Sequence, residues 1–437
     1  MAYSRPIPSD GATLLLGLLL CLSLRSAVAQ TASDSTPPIA LVGITLIDGT
    51  GASPRPHQTV LIQGERIAAT FRRGSRPLPR EATVLDLSGW FVIPGLIDTH
   101  VHLATDPSGE DTRLRTERRL RKALLGGVTA VRDMAGDVRS LASLQRDALL
   151  AEIPSPDIYY AALFAGPAFF ADPRTHDATR GLRAGSVPWM RAISDTTDLR
   201  QAVAEARGTG ATAIKLYADL TGTLIRQVTT EAHAQHLSIW AHAALGPATP
   251  LEVVQAGADV VSHAHLLALA MDSTHRALVL RAPPGTPISI ADPGLDSVLT
   301  AMIQHHTVFE PTIVVYQDSA PYLRLAGAIT HRAHQLGVTI IAGTDTLGDA
   351  DSDELTLPNL HRELDLLVCL GGLTPAEALA SATKDPATIL RAQETRGTIE
   401  VGKLADLVVL SSNPLVDIRN TRTVRMVLKR GRLYRRP

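Results

Sequence analysis

The side chains in this sequence best suited to bind a metal or move a proton stand where apolar runs end. They are His100 and His102 after VIPGLIDT, Lys215 within TAIKLYA, His242 closing SIWAHA, His263 in ADVVSHAH and Asp345 after VTIIAG. In an extended strand, residues two apart point to the same side, so His100 and His102 can present both imidazoles to one ion. Two histidines in a surface loop would share this spacing. The fully apolar run before them argues instead for a buried strand whose end carries metal-competent groups.

Lys215 needs its own account, because burying an ammonium carries a large desolvation penalty. It could hold a depressed pKa, or snorkel from a strand end. It could also react with carbon dioxide to give a carbamate, whose two oxygens can bridge two cations. As an ordinary ammonium, with a pKa of about 10.4, it cannot ligate a metal. His242 and His263 add neutral nitrogen donors, and His265, two residues beyond His263, is a candidate substrate contact. A lone aspartate ending a strand is often only a hydrogen-bonded cap. Converging with four histidines, Asp345 becomes a candidate ligand and proton shuttle, with Asp133 held as the alternative base. The other histidines, His361 among them, fall in helices or loops and read as surface residues.

These groups need a scaffold that brings strand ends together. Eight apolar runs (FVIPGLIDTH, VTAVRD, DIYYAALF, TAIKLYA, SIWAHA, ADVVSHAH, TVFEPTIVV and VTIIAGTD) alternate with amphipathic stretches at 113–125, 141–151, 198–207, 224–235 and 322–335. That alternation predicts an α/β chain folded as a (β/α)8 TIM-type barrel, with chemistry at the C-terminal ends of its strands. Short strands with turn residues at both chain ends predict a small composite β-sandwich module. The expected division is a leader at 1–29, module segments at 37–90 and 393–437, and the barrel at 91–392.

The chain has 437 residues and a net charge of −1, with its basic residues dispersed, which argues against a nucleic-acid partner. Arg5, the apolar run Ala12–Leu24 and the small residues of Ala27-Val28-Ala29 read as a cleavable secretory signal. The run is short of the roughly 20 residues of a permanent span. Gln30 is therefore the expected mature N-terminus and the expected location is periplasmic or secreted. Cys369 then remains alone among Leu366, Leu367, Val368 and Leu370, and reads as a buried core thiol without a disulfide partner.

The motifs VIPGLIDTHVHL, GGVTAVRDMAG, AIKLYAD, WAHA, GADVVSHAHLL, IAGTDT, LTPAEALASATKDPATIL and GKLADLVVLSSNPL occur in this order. In them the chain resembles the amidohydrolase superfamily, most closely its imidazolonepropionase-like and Xaa-Pro-dipeptidase-like branch. The resemblance implies two divalent ions, zinc being the expected metal. His100, His102 and Asp345 would hold one, His242 and His263 the other, with carboxylated Lys215 bridging them. It further implies hydrolysis of a small-molecule amide by a metal-bridging hydroxide, with Asp345 shuttling the proton. Candidate substrate contacts are His265, Tyr217 and Arg174. Phe164, Phe169 and Phe170 could form an apolar wall or belong to the core.

Two departures stand out. The branch often carries a glutamate before the strand-six histidine, where this chain has Ser262. The loop after strand three lacks the Gly-Gly-His-Gly type stretch of the dipeptidase relatives, which weakens a peptidase assignment. A lactonase, a mononuclear deaminase or cyclic-amide hydrolase, and a non-catalytic binding protein are the competing readings, and a homo-oligomer is left open.

Overall fold

The structure is a computed structural model that describes residues 37–105, 112–283, 286, 289–348, 353 and 356–436. The expected leader at 1–29 and the expected terminus at Gln30 lie outside the described residues. No described helix is long and apolar enough to cross a membrane.

Seven of the expected barrel strands form a parallel sheet. They are Leu96–Val101, Val128–Met134, Asp157–Ala165, Ala213–Leu216, Ser238–His242, Val260–Ser262 and Val308–Glu310, each paired to the next. Their near-continuous apolar character follows from burial on both faces. Parallel neighbours require crossovers, which are largely helical here. The helix Arg113–Leu125 has the bounds expected from its periodicity, and the side chain of Thr112 caps its first turn.

The eighth strand differs from expectation. Residues 339–346 pair through isolated bridges, Phe309 with Ile340 and Val101 with Thr346, so the barrel closes without a full ladder. Side chains take over part of that work. Asp98 accepts from the Thr344 amide at 3.1 Å and from the Thr344 hydroxyl at 2.7 Å, joining the first strand to the closing segment.

Inside the barrel, Met134, Ala161, Ala213, Trp240, Val260, Val308 and Ile341 form one apolar layer. Side chains alternate along a strand, so residues two positions further on make the next layer toward the C-terminal ends. That layer contains Lys215, His242, Ser262, Glu310 and Gly343. The apolar layer is thus the floor on which the polar groups stand.

The two chain ends build a second sheet of eight strands with its own apolar core, including Leu41, Ile44, Val60, Val92, Leu407 and Leu428. The expected sandwich is one continuously hydrogen-bonded sheet. It includes Phe91–Pro94, which pairs with Leu407–Leu410, so the chain passes to the barrel at Gly95 rather than at Phe91.

Two expectations about burial fail. Cys369 is exposed. It lies about 180° around the helix Leu360–Cys369 from Leu360, while Leu360, Leu364 and Leu367 face the core. His361 is buried, its ring nitrogens 3.0 Å from Thr421 Oγ1 and 2.8 Å from the Gly126 carbonyl, and burial holds its pKa down to about 4. It ties the helix to neighbouring segments rather than facing solvent.

Candidate metal centre

The barrel mouth collects side chains that are far apart in sequence. His100, His102 and Asp345 offer ligand atoms all within 4.8 Å of one another. Asp345 Oδ1 lies 2.9 Å from His102 Nε2 and 3.3 Å from His100 Nε2. Backbone pairing sets this up, because the Asp345 amide donates to the His100 carbonyl at 2.8 Å. The His263 ring centroid is 5.2 Å from that of His100 and 4.6 Å from that of His242. His263 Nδ1 sits 3.0 Å from Thr312 Oγ1 and 3.8 Å from Asp345 Oδ2. Lys215 is fully buried, and its Nζ donates to Ser262 Oγ at 3.4 Å.

Three residues here hold left-handed backbone. His263, Thr312 and Asp345 adopt φ of 77°, 48° and 53°. Such conformations persist in non-glycine residues only where the surroundings over-determine them. Gly343 meets a steric demand instead. A Cβ there would lie 2.5 Å from a Glu310 carboxylate oxygen and 2.9 Å from His100 Cβ.

Glu310, which the sequence reading passed over, organises the centre. It is fully buried and accepts from Ser262 Oγ at 2.8 Å and from the Thr99 hydroxyl, while His100 Nδ1 lies 2.6 Å from its Oε2. Burial opposes its charge, but His100 and then Lys215 hold its carboxyl down at about 2. Its signal was a carboxylate closing the apolar run TVFE before Pro311. Taking TVFEPTIVV as one strand hides that polar end.

Electrostatics suit cation binding. Burial presses His242 and His263 well below the ordinary imidazole range, leaving neutral donors. Burial also lowers Lys215, to about 8. Asp345 is held well below the usual carboxylate range: burial works against its charge, and His100 and His263 outweigh it. A buried polar atom without a hydrogen-bond partner, His100 Nε2, faces this cluster. With its other nitrogen committed to Glu310, that orphaned lone pair fits a metal ion. A set of neutral imidazoles and a carboxylate is the donor chemistry of zinc and similar divalent ions.

The expected substrate contacts divide between two sides. Tyr217 packs 4.1 Å from the His242 ring and 4.5 Å from that of Phe169, and the Arg174 guanidinium lies 5.8 Å from the Tyr217 ring centre. Arg174 is also paired with Asp172 at 2.7 Å. Arg174, Tyr217 and His102 line one small cavity. His265 stands apart from these, with Nδ1 2.5 Å from the Tyr316 hydroxyl. Phe164 and Phe170 belong to the core, whereas Phe169 is only partly buried. A larger cavity of about 430 Å³ is bordered by Asp345, Thr346, Leu103 and Asn359.

Asp133, the alternative base, is excluded from that role by its partners. It is fully buried and accepts from the amides of Leu103, Ala104 and Gly136 at 2.6, 3.3 and 3.0 Å. Those bonds anchor the loop that leaves His102.

Comparison with known proteins identifies the family and the fold. Residues 91–434 match the model of the amidohydrolase family. Over 107 residues the chain is 36% identical to the adenine deaminase of Klebsiella pneumoniae subsp. pneumoniae, spanning 24% of this chain and 16% of that protein. Over 119 residues it is 35% identical to the imidazolonepropionase of Symbiobacterium thermophilum, spanning 26% of each. The chain thus matches about a quarter or less of the length of these curated relatives. The crystal structure of a Xaa-Pro dipeptidase with bound methionine in the active site is similar over 91% of this chain and all of that one (22% identity, TM-score 0.70). A. niger ochratoxinase is similar over 92% of this chain and 96% of its own (21% identity, TM-score 0.70). At these identities the structural likenesses show the fold.

Proposed function

The chain belongs to the amidohydrolase family, and from that premise we propose that it cleaves an amide bond of a small molecule with two divalent ions at the barrel mouth. A hydrolase of carbon–nitrogen bonds is the coarse statement, and the binuclear centre is the finer one. The observation that carries the finer reading is the convergence of His100, His102, His242, His263, Lys215 and Asp345 at one end of the barrel. These are more donors than one tetrahedral ion uses. His100, His102 and Asp345 would hold one ion and His242 with His263 the other, with Lys215, as its carbamate, between them. When bound, the ions supply an acidified water and a Lewis-acid contact for the scissile carbonyl.

The chain's own residues do the rest. Asp345, ionised and on the mouth side of the cluster, accepts a proton from the attacking water. It then returns that proton to the departing nitrogen, so that amide and water become acid and amine. Glu310 and Thr312 fix the orientations of His100 and His263. Tyr217 and Arg174 on one side, and His265 on the other, are the polar groups placed to orient a substrate. Export with removal of residues 1–29 belongs to the same reading.

The test is a hydrolysis screen of the zinc-loaded protein across N-acyl amino acids, dipeptides, cyclic amides and lactones. Turnover of an N-acyl amino acid, dipeptide or cyclic amide is expected. Turnover confined to lactones would overturn the amide assignment.

A further inference from the structure

The opposite end of the barrel holds a cation that the chemistry at the mouth does not use. Arg132, on the second barrel strand, is only 1% exposed, and its guanidinium lies 4.8 Å from the centre of the Trp240 ring. Its Nη2 donates to Thr212 Oγ1 at 3.1 Å. Nε and Nη1, both shielded from solvent, have no hydrogen-bond acceptor. Among the described residues no carboxylate pairs with it. A guanidinium keeps its charge when buried, and burial lowers this one only to about 10. Glu310 and Asp259 attract it without pairing with it, and a cation–π contact and one hydroxyl are weak compensation for an ion removed from water.

Arg132 also lines a cavity of about 320 Å³. Its other walls include Arg207, Arg391, His236, Thr212 and Ser238, and no acidic residue is among them. Arg391 is tied in place by a 3.0 Å bond from Nη1 to the His236 carbonyl, and it is near enough to Arg132 to repel it. Thr212 and Ser238 stand at the N-terminal ends of the fourth and fifth barrel strands, so the cavity lies at the end remote from the metal ligands. Three arginines therefore border one space, and no acidic residue is among its walls. A tetrahedral oxyanion supplies what they lack: two negative charges, and acceptor oxygens pointing in several directions.

We propose that this cavity is a binding site for a tetrahedral oxyanion, of the phosphate or sulfate class, held by Arg132, Arg207 and Arg391. The N-terminal face of such a barrel serves stability rather than chemistry. The bound anion neutralises the buried guanidinium and stabilises the folded state by mass action.

Sulfate is the probe, titrated into the metal-loaded full-length protein at constant ionic strength made up with sodium chloride. Calorimetric titration should show saturable binding, and the melting temperature should rise by roughly 2–6 °C and then level off. Arg207→Ala and Arg391→Ala change exposed positions, so the fold should survive and the saturable response should be lost or greatly reduced. Asp345→Asn should keep that response, which separates it from anion binding at the metal ligands. A rise that is linear without saturation, or one retained in full by both arginine variants, would overturn the proposal.

Discussion

His100 Nδ1 lies 2.6 Å from Glu310 Oε2, and neither side chain is accessible to solvent. The pair joins the first barrel strand to the seventh. It places the proton on Nδ1, between ring and carboxylate, and leaves the Nε2 lone pair for an ion. Glu310 is also the register partner of Ser262, the residue that stands where the resembling branch often has a glutamate. In this chain the carboxylate reaches the centre from the neighbouring strand, and Ser262 donates to it.

Glu310→Gln should therefore weaken metal binding by about 10–100-fold, the usual effect of removing such an outer carboxylate. Chelator competition measures this, and excess zinc should restore much of the lost kcat/KM. A compensating exchange, Ser262→Glu with Glu310→Ser, should hold metal better than Glu310→Ser alone. Equal affinities in all the variants would reduce Glu310 to a packing residue.

On the proposed binuclear reading, Lys215→Ala should take the centre from two ions per chain to at most one and abolish turnover. Short carboxylic acids should partly restore both, by supplying the bridging oxygens of the missing carbamate. Elemental analysis and activity with added propionate report the two effects. Undiminished metal content would mark the lysine as structural and favour a single ion.

Asp345→Asn separates binding from proton transfer. Most of the metal should stay, because the other donors remain. Turnover should fall by about 10²–10⁴-fold with the general acid–base group gone. A variant that hydrolyses substrate near the parent rate with metal in place would move the shuttle elsewhere, with His265 the next candidate.

Asp157 governs stability at acid pH. It is buried between barrel and composite sheet, 2.6 Å from Lys429, 3.0 Å from Arg430 and in contact with Arg396, which also lies 3.6 Å from Asp406. Burial disfavours its charge, but Arg396, Lys429 and Arg430 together hold its carboxyl well below the usual range. A depressed folded pKa means stability that is present above the unfolded value of about 3.9 and lost as pH falls below it. Asp157→Asn should destabilise by about 3–5 kcal/mol near neutrality, since it takes the carboxylate from buried Lys429 and leaves Arg396 with Asp406 alone. Urea unfolding between pH 3 and 7 should show this difference shrinking toward the acid end. A gap that stays constant across that range would assign it to packing.

Much of the candidate site is legible in sequence because its signals are local. An apolar run ending in a polar residue marks a buried strand and its polar end together, and this makes His100, His102, His242, His263 and Asp345 candidates from sequence. The helix at 113–125 could be read for the same reason, from its periodicity and the capping Thr112. Cys369 and His361 show where a local reading fails. Both lie in one apolar helical stretch, and only the helix's rotation against its neighbours decides that Leu360 and His361 face inward and Cys369 outward.

The sequence by itself determined the alternation of strands and helices, the family likeness and the donors carried at strand ends, since each depends on residues within a few positions of one another. The tertiary structure alone decided that Glu310 serves His100, that Ser262 lies between Lys215 and Glu310, and that Arg132 meets Arg207 and Arg391 around one cavity. Those pairings join residues on different strands and helices. They exist only once barrel closure has set the register of each strand against the next, and no periodicity within a segment encodes that register.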